Sequence, residues 1–472
     1  MERIYINELS KKKNETVLIN CWVNARRDQG KMIFLDFRDA SGVVQGVILP
    51  KSEAMEIGKE LRPEWVIEVV GKVNKRPENS RKSEILNGDI ELEILKIKIL
   101  NKAETLPFQI DSDTRNINEN MRLKYRYLDL RSERMQKNIF NRSKIQKFVR
   151  DFLEKENFIE IETPLMSAPT PEGSRSFVIP SRNFKGSFYS LPQSPQQYKQ
   201  LLMVAGFEKY FQFAKCMRDE DTRIDRQPEF TQLDLEMSFV NEEDIIQLNE
   251  KLLIDLVHKN YPQKKIQQIP FPRMSYKEAM EKYGTDKPDI REDKNNPDLL
   301  AFLWIVDFPM FERTDENNID DTGEWTFTHN PFSKPKDESM DDFMSKKNIE
   351  NILTTQYDVT LNGFELGGGS LRNYKSEALK KTFEIMGYSE DRIQNNFGHI
   401  LTALDFGAPP HGGIAWGFDR FLMILENEPN IREVIPFAKT SEGKDLMMNA
   451  PSDISSKQKK EIGISFTETD KK

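Results

Sequence analysis

The sequence predicts an α+β chain: a small closed β-barrel followed by a larger mixed, mainly antiparallel sheet flanked by helices. Three observations lead there. Short alternating apolar runs crowd the first hundred residues, a polar stretch with a proline near its start follows, and strand-like and helical periodicities then interleave. A length of 472 residues accommodates roughly two to four domains with sizeable cores and excludes a small disulfide scaffold.

Composition supports a folded chain. Apolar residues make up 37% and charged residues 31%, which excludes a disordered or collagen-like polymer. Acidic residues exceed basic ones by 77 to 69, leaving a net charge of −8. That balance argues against a nonspecific polyanion coat and leaves room for a locally basic site. Cys21 and Cys216 are the only cysteines and both lie in apolar, strand-like runs, so a reducing compartment without disulfides is expected. His258, His329, His399 and His411 lack zinc-ligand spacing. The start, MERIYINELSKKKN, has no apolar core of signal-peptide length, and no run reaches the roughly 20 apolar residues of a membrane span. A cytoplasmic protein is expected.

Taken in order, TVLINCWV, MIFLDFRD, GVVQGVIL, WVIEVVGKV and IELEILKIKIL read as about five strands, enough for a barrel domain over 1–105. This part carries a balance of +2 and the remainder −10. The polar stretch LPFQIDSDTRNINEN, 106–120, reads as a linker or hinge, and the second domain as 121–472. Within it, Ile145, Phe148, Val149, Phe152 and Leu153 fall on one helical face. YFQFAKCM, FTQLDLEMSF, LWIVDF and GGIAWGF read as strands, and DIIQLNEKLLIDLVHK as a helix. The acidic, Asn-rich segments 289–298 and 312–324 read as exposed loops, and the last eighteen residues, SSKQKKEIGISFTETDKK, as partly frayed.

Three segments carry chemistry. FAKCMRDEDTRIDRQPEFTQLDLEMSF is two alternating runs joined by a charged loop, an antiparallel hairpin with Arg218 and Glu220 at its mouth; alone, it could equally be a solvated hairpin tip. NGFELGGGSLRN places Glu365 at the end of a strand, then three glycines, then Arg372, so that backbone and a small ligand can approach closely beside a carboxylate and a guanidinium. GAPPHGGIAWGFDRFLMIL joins a glycine-lined strand to Arg420 at the opening of an apolar helix, which suits a flat purine nucleotide and its terminal phosphate. A simple strand-to-helix turn is the plain alternative for the third.

Together these segments resemble motifs 2 (near 210–239) and 3 (near 407–425) and the intervening glycine-rich strand of the class II aminoacyl-tRNA synthetases, and FIEIETPLM (158–166, with Pro164) resembles motif 1, which in that family lies at the dimer interface. TPEGSRSFVIPSR, LPQSPQQYKQLLM, RDEDTRIDRQPEFTQLD and GAPPHGGIAWGFDR resemble the bacterial-type aspartyl-tRNA synthetases, and WVNARRDQGKMIFLDFRDASGVVQ resembles their anticodon-binding OB fold. The resemblance covers nearly the whole chain. It implies ATP-dependent attachment of aspartate to tRNA(Asp) through an aspartyl-adenylate, with tRNA(Asn) left open as a second acceptor, by a homodimer using Mg²⁺.

By that resemblance Arg218 bridges the substrate carboxylate and the α-phosphate, and Arg420 is its catalytic companion. Asp219, Glu220, Gln227, Phe230 and the run Gly417, Phe418, Asp419, Arg420 line the nucleotide site, and Asp358 and Glu365 hold Mg²⁺, a hard ion suited to oxygen ligands. Ser194, Gln196, Lys199, Arg372 and His329 surround aspartate, while Glu172 and Asp234 face its ammonium group. Arg27, Phe34, Gln45 and Glu91 match anticodon-reading positions; an aromatic face stacks an unpaired base and polar groups pair with its edge. The alternation in MIFLDF keeps a core position for Phe34 open, and Lys11, Lys12 and Lys13 read as a solvated turn.

Two departures stand out. Bacterial-type members carry a whole domain between motifs 2 and 3, whereas YGTDKPDIREDKNNPDLLAFLWIVDFP crosses that interval directly, and His329 is followed by Asn330 where the family often has a second histidine. Two rival readings are an aspartate–ammonia ligase, which has no reason to carry an anticodon barrel, and a degenerate synthetase that only holds tRNA.

Overall fold

The structure is a computed structural model and describes residues 1–81, 84–169, 174–314 and 323–464. The chain divides into two units, Met1–Thr114 and Arg115–Lys472.

In the first unit, β1 (Thr16–Asp28), β2 (Ile33–Asp39), β3 (Gly42–Ile48), β4 (Val66–Lys75) and β5 (Ile90–Asn101) close into a barrel in the order β1-β2-β3-β5-β4. Alternation decides which side chains fill it: Val17, Ile19, Cys21 and Val23 of β1 and Ile33, Leu35 and Phe37 of β2 point inward and are buried. Each such aliphatic contributes roughly 1.5–3 kcal/mol through burial. Phe34 falls on the other parity of β2 and faces outward, half-buried, so it is not a core residue. Both cysteines are free and buried.

The second unit is built on an eight-stranded sheet of β6 (Ile159–Glu160), β7 (Lys209–Met217), β8 (Glu229–Ser238), β9 (Arg273–Ser275), β10 (Phe302–Val306), β11 (Tyr357–Leu361), β12 (Phe364–Leu371) and β13 (His411–Gly417). Their order is β9-β10-β11-β12-β13-β8-β7-β6. Six antiparallel strands form the centre, and the two short edge strands pair parallel to their neighbours. On one face the long helices α1 (Glu133–Lys155) and α2 (Glu242–Asn260) and the short α3 (Phe418–Leu425) bury the main core. Ile145, Val149 and Leu153 of α1 are fully buried there, and Phe148 and Phe152 pack at its margin, the stripe that their spacing predicts.

Arginines lock the start of this unit to the segment after α3. Arg122 holds Glu433 in a bidentate pair at 2.9 and 2.8 Å, Arg134 approaches the same carboxylate at 2.9 Å, and Arg126 pairs with Asp129 at 2.7 Å while donating to the carbonyls of Ile435 and Pro436. Burial opposes the Glu433 charge, but these guanidinium groups outweigh it and hold the acid down at about 2.

The predicted hinge 106–120 is not uniformly loop. Asn118 caps a helix over Glu119–Lys124. Residues 315–322 of the predicted loop 312–324 and the final 465–472 lie outside the described residues, whereas Phe311–Arg313 is a strand and Ser456–Ile462 a capped helix.

Candidate active site

The sheet face opposite α1 and α2 carries the site. On β8, Leu233, Leu235 and Met237 face the core, so Gln232, Asp234 and Glu236 point the other way. Towards one end of these strands lies a cleft with an interior of about 160 Å³ whose walls include Arg218, Glu220, Gln227, Phe230, Glu365 and Arg420. Arg218 follows β7, and its amide bonds the Pro228 carbonyl across the hairpin at 2.9 Å. Its guanidinium lies over the Phe230 ring, 5.3 Å from the centroid. Among the described residues no ion pair ties up Arg218. Arg420, in the first turn of α3, pairs with Asp225 at 3.0 Å and donates to the Glu365 carbonyl, while its buried Nε has no partner among the described residues. Gln227 accepts from the Lys439 amide at 2.9 Å and leaves its buried amide nitrogen unpaired. Glu220 is held by Ser174 and by Arg226 at 3.1 Å, and the Asp219 amide bonds the Arg175 carbonyl.

A second cluster lies deeper. Lys199, on a helix over Gln196–Val204, contacts Asp234 at 3.1 Å and Glu236 at 3.4 Å. Arg372 binds Glu236 in a fork at 2.9 and 3.2 Å and donates to Ser370 at 2.8 Å. All four charged residues are at most 2% exposed. Buried charges persist only when paired, and this quartet is internally neutral. Burial pushes the Asp234 acid up despite Lys199, whereas for Glu236 the two cations overcome burial and hold it down. Among the described residues, one buried carboxylate oxygen of Asp234 has no hydrogen-bond partner and is free to accept. Gln196 donates to Gln200, which meets Nε2 of His411 at 3.2 Å; Nδ1 of His411 faces the Pro409 carbonyl at 2.8 Å. Burial lowers the His411 pKa, which favours the neutral ring, and the Pro409 carbonyl accepts a proton carried on Nδ1. Gly413 makes room for this cluster, because a Cβ there would come within 2.1 Å of a Glu236 carboxylate oxygen.

Asp358, buried on β11, and Glu365, half-buried on β12, form an acidic pair. Burial and the neighbouring Glu365 charge push Asp358 up to about 7, although His329, 3.9 Å away, works against them. Glu365 is held low because Arg420 and His329 outweigh its burial. Two neighbouring carboxylates in mutual repulsion suit a divalent cation that takes few protein ligands and keeps the rest for water or phosphate oxygens, so the residues present fit Mg²⁺.

Several residues assigned by resemblance are engaged elsewhere. Phe418 is buried in the core, edge-on to Phe213. Asp419 lines the cleft, and its carboxylate, which accepts from the Thr231 amide at 2.7 Å and from Arg142 of α1, braces that wall. The Ser194 hydroxyl accepts the Gln196 amide at 3.3 Å. His329 stands edge-on to Phe308 on the Asp358 side, and Asn330 accepts the Phe332 amide at 2.8 Å in a local turn. Glu172 lies outside the described residues. Glu236, Ser370 and His411 were not singled out by sequence reasoning; the alternation of Gln232, Asp234 and Glu236 in TQLDLEMS is the signal that exposes the first.

On the barrel, Arg27, Phe34 and Gln45 share the outward face, with Arg27 paired to Phe34 and Asp36 to Gln45 across the strands. Arg27 forks onto Asp36 at 2.7 and 2.9 Å. Glu91 is the second residue of β5, opposite Asn74.

A closed barrel in one unit and, in the other, an antiparallel sheet bearing a cation-lined cleft are the two parts of a class II aminoacyl-tRNA synthetase. Residues 118–441 match the class II tRNA synthetases for D, K and N, and 17–100 match the OB-fold nucleic acid binding domain. The chain is 38% identical to the aspartate–tRNA(Asp/Asn) ligase of Thermoanaerobacter sp. (strain X514), covering 95% of each, and 37% identical to the aspartate–tRNA(Asp) ligase of Deinococcus radiodurans, covering 96% of each. The chain therefore belongs to the aspartate–tRNA ligase family. The first alignment runs over 579 positions against a chain of 472, so that relative contains a substantial stretch with no counterpart here. Folds are shared with asparaginyl-tRNA synthetase of Pyrococcus horikoshii (TM-score 0.74, 21% identity, 93% of this chain and 98% of that one) and aspartyl-tRNA synthetase of Entamoeba histolytica (0.70, 23%, 93% and 91%). No described helix is long and apolar enough to cross a membrane.

Proposed function

We propose that this chain activates L-aspartate with ATP and transfers it to the 3′-terminal ribose of tRNA(Asp) in the cytoplasm. The observation that carries the reading is convergence: Arg218, Glu365 and Arg420, from three separate segments, line one cleft beside a buried cluster of Lys199, Arg372, Asp234 and Glu236. The unpartnered oxygen of Asp234 takes the substrate ammonium, and Lys199 and Arg372 face its side-chain carboxylate. Charge-assisted hydrogen bonds of about 1.5–3 kcal/mol each would reject asparagine by roughly ten- to hundredfold.

In the first step an α-carboxylate oxygen attacks the α-phosphorus; that P–O bond forms as the bond to the β-phosphate breaks, and pyrophosphate leaves with the electron pair. Arg218 holds the two reactants in line and, with Arg420, offsets the accumulating charge. Phe230 and Gln227 border the adenosine. Asp358 and Glu365 would hold Mg²⁺, which when bound supplies further charge neutralisation to the phosphates. In the second step the ribose hydroxyl attacks the mixed anhydride, AMP departs, and its phosphate takes the proton. Arg27, Phe34, Gln45 and Glu91 form the surface on which the anticodon is read.

Aspartate-dependent ATP–pyrophosphate exchange together with charging of tRNA(Asp) tests this reading. Exchange without charging would favour an aspartate–ammonia ligase, and absence of both a tRNA-holding protein. Comparing purified tRNA(Asp) and tRNA(Asn) decides the acceptor range. The homodimer is part of the proposal: around motif 1, Ile159, Leu165 and Met166 are 51%, 47% and 56% exposed, an apolar surface that favours a partner. Sedimentation as a monomer only would overturn it.

A further inference from the structure

We infer that Ser370 is a positioning residue for aspartate recognition: its hydroxyl, itself held by Ser333, fixes the plane of the Arg372 guanidinium. The inference rests on the reading above, in which Arg372 faces the side-chain carboxylate of the substrate. A Cβ on Gly369 would lie 2.8 Å from the Tyr357 ring in the core, so the next residue, Ser370, faces the site. There it shares a cross-strand row with Gly413 of β13 and Glu236 of β8. Gly413 has no side chain to fill the row, and Arg372 spans it, bound by Glu236 on one side and by Ser370 on the other.

The contact with Ser370 restricts what the fork onto Glu236 leaves free. Nε and Nη2 each donate to Glu236, at 2.9 and 3.2 Å, and such a fork can tilt as one body about the glutamate side chain. Nη1 donates to Ser370 at 2.8 Å, from a different strand, and stops that tilt. Of the five N–H groups of a guanidinium, one on each terminal nitrogen then stays free of these contacts, the pair that a carboxylate accepts side by side. Ser370 is itself held in place. Its oxygen accepts a second hydrogen bond, from the Ser333 hydroxyl at 2.8 Å, which occupies both of its lone pairs. Ser333 is anchored in turn: its carbonyl accepts from Asn373 at 3.0 Å and its amide bonds the Asn330 carbonyl at 3.3 Å. Both serines are at most 2% exposed, and a buried polar group with its partners in place specifies one geometry.

Ser370→Ala, Ser333→Ala, the double variant, Ser333→Thr and the unaltered full-length chain are compared by ATP–pyrophosphate exchange. For Ser370→Ala the KM for aspartate rises roughly tenfold while the KM for ATP holds. Ser333→Ala raises the KM for aspartate about threefold, and Ser333→Thr, which keeps the hydroxyl, stays near the parent. Because Ser333 acts only through Ser370, the double variant is no worse than Ser370→Ala. An unchanged KM for aspartate in Ser370→Ala, a KM for ATP that rises in step with it, losses that multiply in the double variant, or no recovery by threonine would each overturn the assignment. Failure of the broader reading shows separately, as an unaltered chain without aspartate-dependent exchange.

Discussion

The barrel and the catalytic sheet both present polar side chains at every second strand position, but on surfaces of opposite character. On β2 the outward residues Phe34 and Asp36 stand at the solvent, and Arg27, their neighbour on β1, keeps a side chain 49% exposed although it forks onto Asp36. On β8 the same parity delivers Asp234 and Glu236 to a place with no exposure at all. Water screens the first set, so its pairs are weak and its groups free to exchange partners with a ligand. In the second set, removal of one charge leaves others stranded, and binding and folding are no longer separable.

Glu236→Ala tests this contrast most severely. It strands Arg372 and Lys199 and should lower the unfolding free energy by about 3–5 kcal/mol in urea titration, with exchange lost; a variant as stable as the parent would break the comparison. Arg218→Ala removes a cation that no ion pair holds among the described residues. It should cut exchange kcat/KM by roughly 10²–10³-fold while the urea midpoint stays put, a loss of function without loss of fold.

Glu433 supplies a pH signature. Its folded pKa of about 2 lies below its ordinary 4.5, so its contribution is complete above about pH 5 and is lost as the pH falls towards 2. The shift corresponds to roughly 3 kcal/mol, and Glu433→Gln should remove that part of the acid dependence in melts between pH 5 and 2. Phe34→Ala should weaken tRNA charging by about 1–3 kcal/mol in kcat/KM with exchange unaltered. Smallest of all, Arg27→Ala should change stability by less than about 1 kcal/mol, measured by thermal melting; a larger drop would mean that the barrel face resembles the buried one after all.

Much of the site was legible because its chemistry is local in sequence. Arg218 at a hairpin mouth, Glu365 before three glycines and Arg420 at a helix start each declare themselves by type and spacing. Contacts distant along the chain were not legible. Asp419 sits in the most recognisable segment of the chain, yet its partner Arg142 is 277 residues away, and only the packing of α1 against the sheet shows that it also braces the cleft wall it lines. Phe34 was ambiguous because alternation fixes parity but not which parity is inside; Ile33, Leu35 and Phe37 settle that by filling the barrel. Glu236 was overlooked beside Asp234 because a charged residue two positions on reads as solvated until the strand is known to be central. The two-residue β6 falls below any length at which periodicity registers.

The missing side chain at position 413 has an evolutionary consequence. With the neighbouring main chain at 2.0 Å and a carboxylate oxygen at 2.1 Å from where a methyl would sit, even alanine demands that a central strand shift. A saturation library at this codon should return glycine alone among active clones, so any retuning towards another amino acid has to enter through the walls, at positions such as 199 or 372, and never through the floor.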